Sequence, residues 1–263
     1  MGRLSKGLAL VLVLSMVLGT GTAFAKKGNA GIITEDRDVK NYSQLVIGIA
    51  GVVTLEQCGE EGVTIEADEE IMPYIETEVR GRRLLITHRE RGWYRDIGNR
   101  YNIRVHVKCK SLEVVTISGS ADLTCKSLEG KELELGISGS GDAKFEKVKT
   151  DNLEMGISGS GSITIYEYAG TRVRTSVSGS GDLELSGKAK SMNVGVSGSG
   201  TVDARNLETE EVNVRISGSG NLYTWANELI SGSVSGSGSV FYSGRPAIDL
   251  SSSGSGSIRH RGR

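Results

Sequence analysis

The side chains able to do chemistry are mostly hydroxyls and carboxylates set at regular intervals. Ser-Gly-Ser-Gly begins at Ser138, Ser158, Ser178, Ser197, Ser217, Ser235 and Ser253. Each serine hydroxyl can both donate and accept a hydrogen bond, so a stacked series of them offers repeating polar partners. Asp142 and Asp182 directly follow two of these tetrapeptides, and Asp122 follows the variant Ser118-Gly119-Ser120-Ala121. Two carboxylates flanking a sugar bond would be the apparatus of glycoside cleavage. Here the acids recur with the repeat, Ser162 interrupts the set, and no separate Arg, Lys or His cluster accompanies them. No catalytic residue is therefore assigned. His88, His106 and His260 are scattered and suggest neither a triad nor a metal site.

Three cysteines are an odd and small number for an exported disulfide framework. Cys58 lies in Gln57-Cys58-Gly59-Glu60, which reads as a turn, while Cys109 and Cys125 fall at alternating apolar positions expected to be buried. A Cys109–Cys125 bridge stays open, because spacing in sequence does not fix a distance in space. No paired Cys or His spacing suggests a metal. A calcium-binding Gly/Asp repeat would have a nine-residue period, which this chain lacks. No cofactor is expected.

The elements that position these groups follow from the period. Counting the variant at Ser118, successive copies are spaced by 20, 20, 20, 19, 20, 18 and 18 residues. A flexible Gly/Ser linker would show neither this period nor the apolar residues that frame it. Leu133, Leu135 and Ile137 alternate with Glu132, Glu134 and Gly136 before one copy, and Ala143 and Phe145 flank Lys144 after it. Later copies repeat the pattern with Leu153, Met155 and Ile157, then Ile163 and Ile165. Period-two alternation means strands with one buried face. A coil that returns to its start after about twenty residues stacks on its predecessor at roughly 4.8 Å, so eight coils span roughly 35 to 40 Å. The expected fold is all-β: a right-handed parallel β-helix, or β-solenoid, with about 20 residues per coil. No coil buries its own apolar face, so the stack is stable only as a whole.

Counting also places the tetrapeptide. Ile137 and Ala143 are both inward and six residues apart, so inward parity is kept across it. An extended segment would point both serines outward and both glycines inward, letting opposite walls approach. The alternative is a corner that uses glycine for positive φ. The extended form is favoured, because Ala121 at the fourth position tolerates positive φ poorly. The outward ladder of interest is Ser138, Ser140, Ser158, Ser160, Ser178, Ser180, Ser197, Ser199, Ser217 and Ser219. The residue after each tetrapeptide is also small and polar, which suits turns and hydrogen bonding.

Arg3 and Lys6, the apolar run Leu8 to Leu18, and Thr22-Ala23-Phe24-Ala25 make a secretory signal over residues 1–25, with cleavage between Ala25 and Lys26. The run is too short to cross a bilayer as a helix. No other stretch is apolar enough, so no transmembrane segment is expected in the mature chain. Beyond the signal, 29 basic against 32 acidic residues leave a charge of −3, which excludes an ordinary nucleic-acid binder. Residues 26–41 read as a lead segment and 42–263 as one solenoid domain, with 42–112 its irregular first coils and cap and 113–263 the regular coils. Arg89 to Arg100 reads as a loop, and Trp93, Tyr94 and Tyr101 in or beside it are further candidates for ligand contact. The charges of Ile258-Arg259-His260-Arg261-Gly262-Arg263 would discourage end-to-end pairing of exposed strands.

Taken in order, Gly51-Val52-Val53-Thr54-Leu55, Val63-Thr64-Ile65-Glu66-Ala67-Asp68-Glu69 and Tyr74-Ile75-Glu76-Thr77-Glu78-Val79 resemble the start of the head GIN domain family. The Ser-Gly-Ser-Gly-Asp copies and the ending Tyr242-Ser243-Gly244-Arg245-Pro246 continue the resemblance, which covers residues 40 to 258. It implies an exported bacterial β-helical protein with no established activity, and the family's label of auto-transporter adhesin implies surface binding. An auto-transporter carries a C-terminal membrane barrel, whereas here the repeat runs almost to the last residue. The expected role is non-enzymatic binding, adhesion or envelope scaffolding in the periplasm, at the cell surface or in the medium. The expected partner is a glycan, an envelope polymer or a protein. The competing expectation is a lyase or hydrolase that acts on polysaccharide from the same scaffold.

Overall fold

The computed structural model describes residues 31–89 and 102–262. The signal segment with Ala25 and Lys26, most of the Arg89–Arg100 segment, and Trp93, Tyr94 and Tyr101 lie outside the described residues. Regular coils begin with three long strands: β9 (Asp122–Gly139), β10 (Asp142–Gly159) and β11 (Ser162–Gly179). They pair in parallel at an offset of 20 residues, Asp122 beside Asp142 beside Ser162. β12 (Asp182–Lys188) and β13 (Ser191–Gly198) make the next coil, followed by β14 (Thr201–Gly218) and β15 (Asn221–Gly236). The last coil is β16 (Ser239–Ser243) and β17 (Ala247–Gly254), with β18 (Ser257–His260) above β16. This is a β-solenoid of about twenty residues per coil.

Alternation forms the interior. In β10 Ala143, Phe145, Val148, Thr150, Leu153, Met155 and Ile157 are buried, and exposed or half-exposed residues separate them. Like residues stack from coil to coil, so Leu123, Ala143, Ile163, Leu183, Val202, Leu222 and Val240 form one continuous inner column. Each fully buried Leu, Ile or Phe contributes roughly 1.5–3 kcal/mol. Alternation slips at Glu146–Lys147 and Asp151–Asn152 in β10, and at Arg205–Asn206 and Glu210–Glu211 in β14. Those slips and the tetrapeptide are corners, so each coil has three straight sides.

The tetrapeptide departs from the favoured extended form. Its first glycine has φ of +143° at Gly139, +123° at Gly179 and +126° at Gly218, all in the region that favours glycine. The chain turns there while keeping parity. The fourth residue points inward as counted, but its close neighbour is the preceding coil, not the opposite wall. A Cβ added to Gly141 would stand 2.8 Å from Ile117 Cγ2. Parity alone could not separate the two cases, because a four-residue turn of this kind returns the same face to the core.

The first coils use β2 (Gln44–Gly48), β3 (Val52–Gln57), β7 (Ile103–Cys109) and β8 (Val114–Ile117), all parallel to their solenoid neighbours. β1 (Ile32–Arg37) pairs antiparallel with β4 (Gly62–Asp68), and β4 pairs antiparallel with β7. A 3-10 turn, Met72–Tyr74, leads into β5 (Ile75–Arg80), which pairs antiparallel with β6 (Arg83–His88). Ile71, Met72 and Ile75 are buried beneath this end. The sheet therefore starts within the lead segment, at Ile32. Glu61 ties the segment before β2 to the turn after β7: it accepts from the Tyr42 amide at 3.3 Å and from Lys110 Nζ at 2.9 Å.

Candidate functional site

One side of the solenoid carries the serine ladder. It is built from the second half of each long strand, ending at the tetrapeptide corner. All ten ladder serines, from Ser138 to Ser219, are exposed. The column through Ser138, Ser158, Ser178, Ser197 and Ser217 continues in unbroken register to Ser235 and Ser253. Among the described residues none of the ten hydroxyls bonds another protein group, so the ladder is stacked yet open to solvent. The coils are joined by backbone instead: the Ser160 amide donates to Gly139 O at 3.0 Å, and the Ser180 amide to Gly159 O at 3.0 Å.

Register survives because length changes fall elsewhere. The 19-residue coil has one residue fewer between Leu185 and Gly187, opposite Ile165 and Tyr168, and the first 18-residue coil slips between Thr224 and Leu229, opposite Ala204 and Glu211. The serine wall itself carries no slip.

Two further columns on this wall were not assigned from sequence. Gly136, Gly156, Ser176, Gly195 and Arg215 lie two residues before the serines, and the three glycines leave the backbone bare in their coils. A Cβ on Gly156 would meet nothing within 4 Å, so packing does not require glycine there. Glu134, Glu154, Arg174, Asn193 and Asn213 lie four residues before the serines, all exposed. A shallow recess of about 510 Å³ runs along this column, lined by Glu132, Glu134, Glu154, Arg174 and Asn193 among others. A second, of about 280 Å³, opens over Gly136, Gly156, Ser158 and Ser178. The signal was present in sequence as a fixed offset from each tetrapeptide, but it becomes a surface only once register is known.

The aspartate column is occupied with structural work. Asp142 Oδ1 accepts from the Ser162 hydroxyl at 2.6 Å and its amide at 3.1 Å. Asp182 Oδ1 accepts from the Thr201 amide at 3.2 Å, and the Ser239 and Ser257 hydroxyls lie 3.1 Å apart. These contacts clip consecutive coils together just past the corner. The histidines are not gathered: His106 Nε2 lies 3.0 Å from Glu56, and His260 Nε2 lies 3.0 Å from Gly244 O.

All three cysteines are free thiols, with Cys58 exposed and the others buried. β3 stands between Cys109 and Cys125, which pair with Gln57 and Leu55 respectively. Two strand spacings are roughly 9.6 Å, beyond the roughly 7 Å a disulfide can span. Burial pushes the Cys109 thiol up to about 12 and the Cys125 thiol up to about 11. Neither is a nucleophile at neutral pH.

The last coils carry an outward ring stack on a different side. Tyr223 and Phe241 are 4.8 Å apart and nearly parallel, with the Arg205 guanidinium 4.4 Å from the centre of the Tyr223 ring and that of Arg261 4.7 Å from Phe241 and 5.8 Å from Tyr223.

With this geometry in place, likeness to known proteins is informative. The family described as "Putative auto-transporter adhesin, head GIN domain" matches residues 41–171 and 145–246. No curated protein matches the chain. A crystal structure of a putative lipid binding protein from Parabacteroides distasonis superposes with a TM-score of 0.82 at 24% identity, covering 89% of this chain and 98% of that one. A putative adhesin from Parabacteroides merdae gives 0.82 at 22% identity with the same coverage. A second Parabacteroides distasonis structure, also a putative adhesin, gives 0.80 at 21% identity over 89% and 98%. At such identity the likeness is one of fold. Among the described residues no helix is long and apolar enough to cross a membrane. The family match spans most of the sequence and agrees with the observed coils, so the chain belongs to the head GIN domain family of auto-transporter-adhesin-like proteins.

Proposed function

We propose that this chain is an exported binding protein that holds an extended, hydroxyl-rich polymer, such as an envelope or host glycan, along its serine wall. The observation that carries the reading is the unbroken register of that wall. Coil length varies from 20 to 18 residues, yet every insertion or deletion falls at another corner. An exposed column of hydroxyls at the strand spacing of about 4.8 Å, beside a glycine-rich column and a mixed Glu/Arg/Asn column, suits a chain-like ligand better than a compact one. The adhesin names of the family and of its structural neighbours support binding at this coarse level. An exported location accords with that family and with the leader expected over residues 1–25.

The polysaccharide-cleaving alternative has less support, since Asp142 and Asp182 are engaged in clipping coils together. The processed chain should retain glycans or envelope polymers on an array without releasing reducing ends. Failure to bind any extended polymer would refute the reading. Turnover abolished by Asp142→Asn would replace it with the enzymatic one.

A further inference from the structure

Three glycines on the serine wall are required neither by backbone geometry nor by packing. Gly136, Gly156 and Gly195 lie within strands and without positive φ. A Cβ would meet nothing within 4 Å at Gly156, and at Gly136 and Gly195 its nearest contact, at 3.7 Å, is an ordinary one. The corner glycines differ: at Gly218 a Cβ would stand 2.6 Å from Gly198 O. Glycine inside a strand costs backbone entropy and packs no side chain. Where the fold does not need it, it marks close approach by a ligand.

Gly136 and Gly156 are neighbours in register and floor the smaller recess, of about 280 Å³. Thr116 and Ser176 close its two ends, three strand spacings or roughly 14 Å apart. Ser138 and Ser158 form one side. Glu134 forms the other, with Glu154 beside it in register, and Glu134 also lines the larger recess. The serine and glutamate columns are four residues apart along each strand, roughly 13 Å between backbones. The volume is just under the roughly 300 Å³ at which ligand pockets begin. It suits one sugar ring of a longer chain, lying flat on the glycines.

The acidic side is unpaired. Glu134 and Glu154 stand one strand spacing apart, about 4.8 Å, and like charges so placed destabilise a sheet. Among the described residues neither carboxylate has a hydrogen bond or an ion pair. Asp142, Asp203 and Glu167, by contrast, are engaged by Ser162, Arg205 and Lys147. Arg174 follows Glu154 in the column, so the acidic stretch ends after two coils. The fold gains nothing from a bare floor beside two unpaired carboxylates, and local departures of this kind belong to functional sites. A ligand that lies on the floor and carries a cation to the carboxylates accounts for both.

We infer that this recess is a subsite for an amino sugar with a free ammonium group, an assignment that rests on the polymer reading above. The ring lies on Gly136 and Gly156, its hydroxyls face Ser138 and Ser158, and its ammonium sits between Glu134 and Glu154. Arg174 repels a second ammonium one coil further along. The test is isothermal titration calorimetry of the processed chain with chitosan oligosaccharide, whose sugars carry free ammonium groups, and with chitin oligosaccharide, in which each is acetylated. Chitosan oligosaccharide should bind at least tenfold tighter. Glu134→Gln with Glu154→Gln should weaken it at least tenfold and leave chitin oligosaccharide unaffected. Glu129→Gln with Glu146→Gln removes the same charge away from this wall and should change neither, which separates the site from general attraction between an acidic protein and a polycation. Gly156→Ile fills the floor with a residue suited to strands and should also weaken chitosan binding at least tenfold; it carries the test should the glutamate variants misfold. No binding of chitosan oligosaccharide, equal affinity for the two oligomers, or equal loss in both glutamate pairs would overturn the subsite. Retention of a neutral glycan on an array, without preference for chitosan, would overturn the subsite and leave the wall reading standing. Failure to bind any polymer would overturn both.

Discussion

Replacing Gly179 and Gly156 by alanine, one at a time, separates glycine required by architecture from glycine left bare on the surface. Gly179 has φ of +123°, and a Cβ there would stand 2.6 Å from the backbone oxygen of Gly159 in the preceding coil. An L-residue held at such a φ costs about 1–2 kcal/mol. Relieving the clash must separate two coils locally, which weakens the bond from the Ser180 amide to Gly159 O, now 3.0 Å and worth about 1 kcal/mol. Gly179→Ala should therefore destabilise by about 2–4 kcal/mol, the sum of those costs with some residual strain. Gly156 lies on the serine wall with nothing within 4 Å of a new Cβ and without positive φ. Gly156→Ala should be neutral or stabilise by about 0.4–1 kcal/mol through the unfolded chain. Urea denaturation followed by circular dichroism compares the two directly, with equal slopes required for a fair reading. Equal midpoints for both variants would refute the corner assignment.

Other consequences are equally accessible. Tyr168 is buried and its hydroxyl donates to Thr150 O at 3.0 Å, so Tyr168→Phe should cost about 1–3 kcal/mol. Phe145→Ala, at the centre of the core, should cost about 3–5 kcal/mol in the same denaturation assay. A maleimide at neutral pH should add one label to the native chain, at Cys58, and three after denaturation; reductant should leave the melting temperature unchanged. For Glu61, burial pulls its carboxyl up, but Lys110 and the Asn41 and Tyr42 amides outweigh it and hold it below the usual range. Its contribution is present above the unfolded value of about 4.3 and is lost as pH falls through the lower folded value. Glu61→Gln should flatten that part of the stability-against-pH curve, and an unchanged curve would show that Glu61 plays no part in it.

The coils were legible because Ile137, Ile157 and Val177 precede tetrapeptides at a fixed spacing and alternate with polar residues. Period and parity together force stacked strands, and the structure has them. What parity could not convey was the corner at Gly139 and Gly179, since a turn that preserves the inward face is indistinguishable from extended chain by counting. The N-terminal end was less legible for another reason. β1, β4 and β5 run antiparallel and lie outside the repeat, so no period announces them; only their pairing with β7 and β6 reveals that Ile32–Arg37 is a strand. The serines of the candidate wall could be named in advance, but the Glu134, Glu154 and Arg174 column could not. Its residues differ in type from coil to coil, and only register makes them neighbours.

The central claim is that the serine wall binds. Ser158→Lys, Ser178→Lys and Ser197→Lys in one chain would put three bulky cations on that wall in adjacent coils, where all three hydroxyls are exposed and unbonded. Binding of this variant to the glycan or envelope polymers retained by the wild type should be measured by biolayer interferometry, beside its melting temperature. The account predicts lost binding with an unchanged melting temperature. Undiminished binding by a fully folded variant would contradict it.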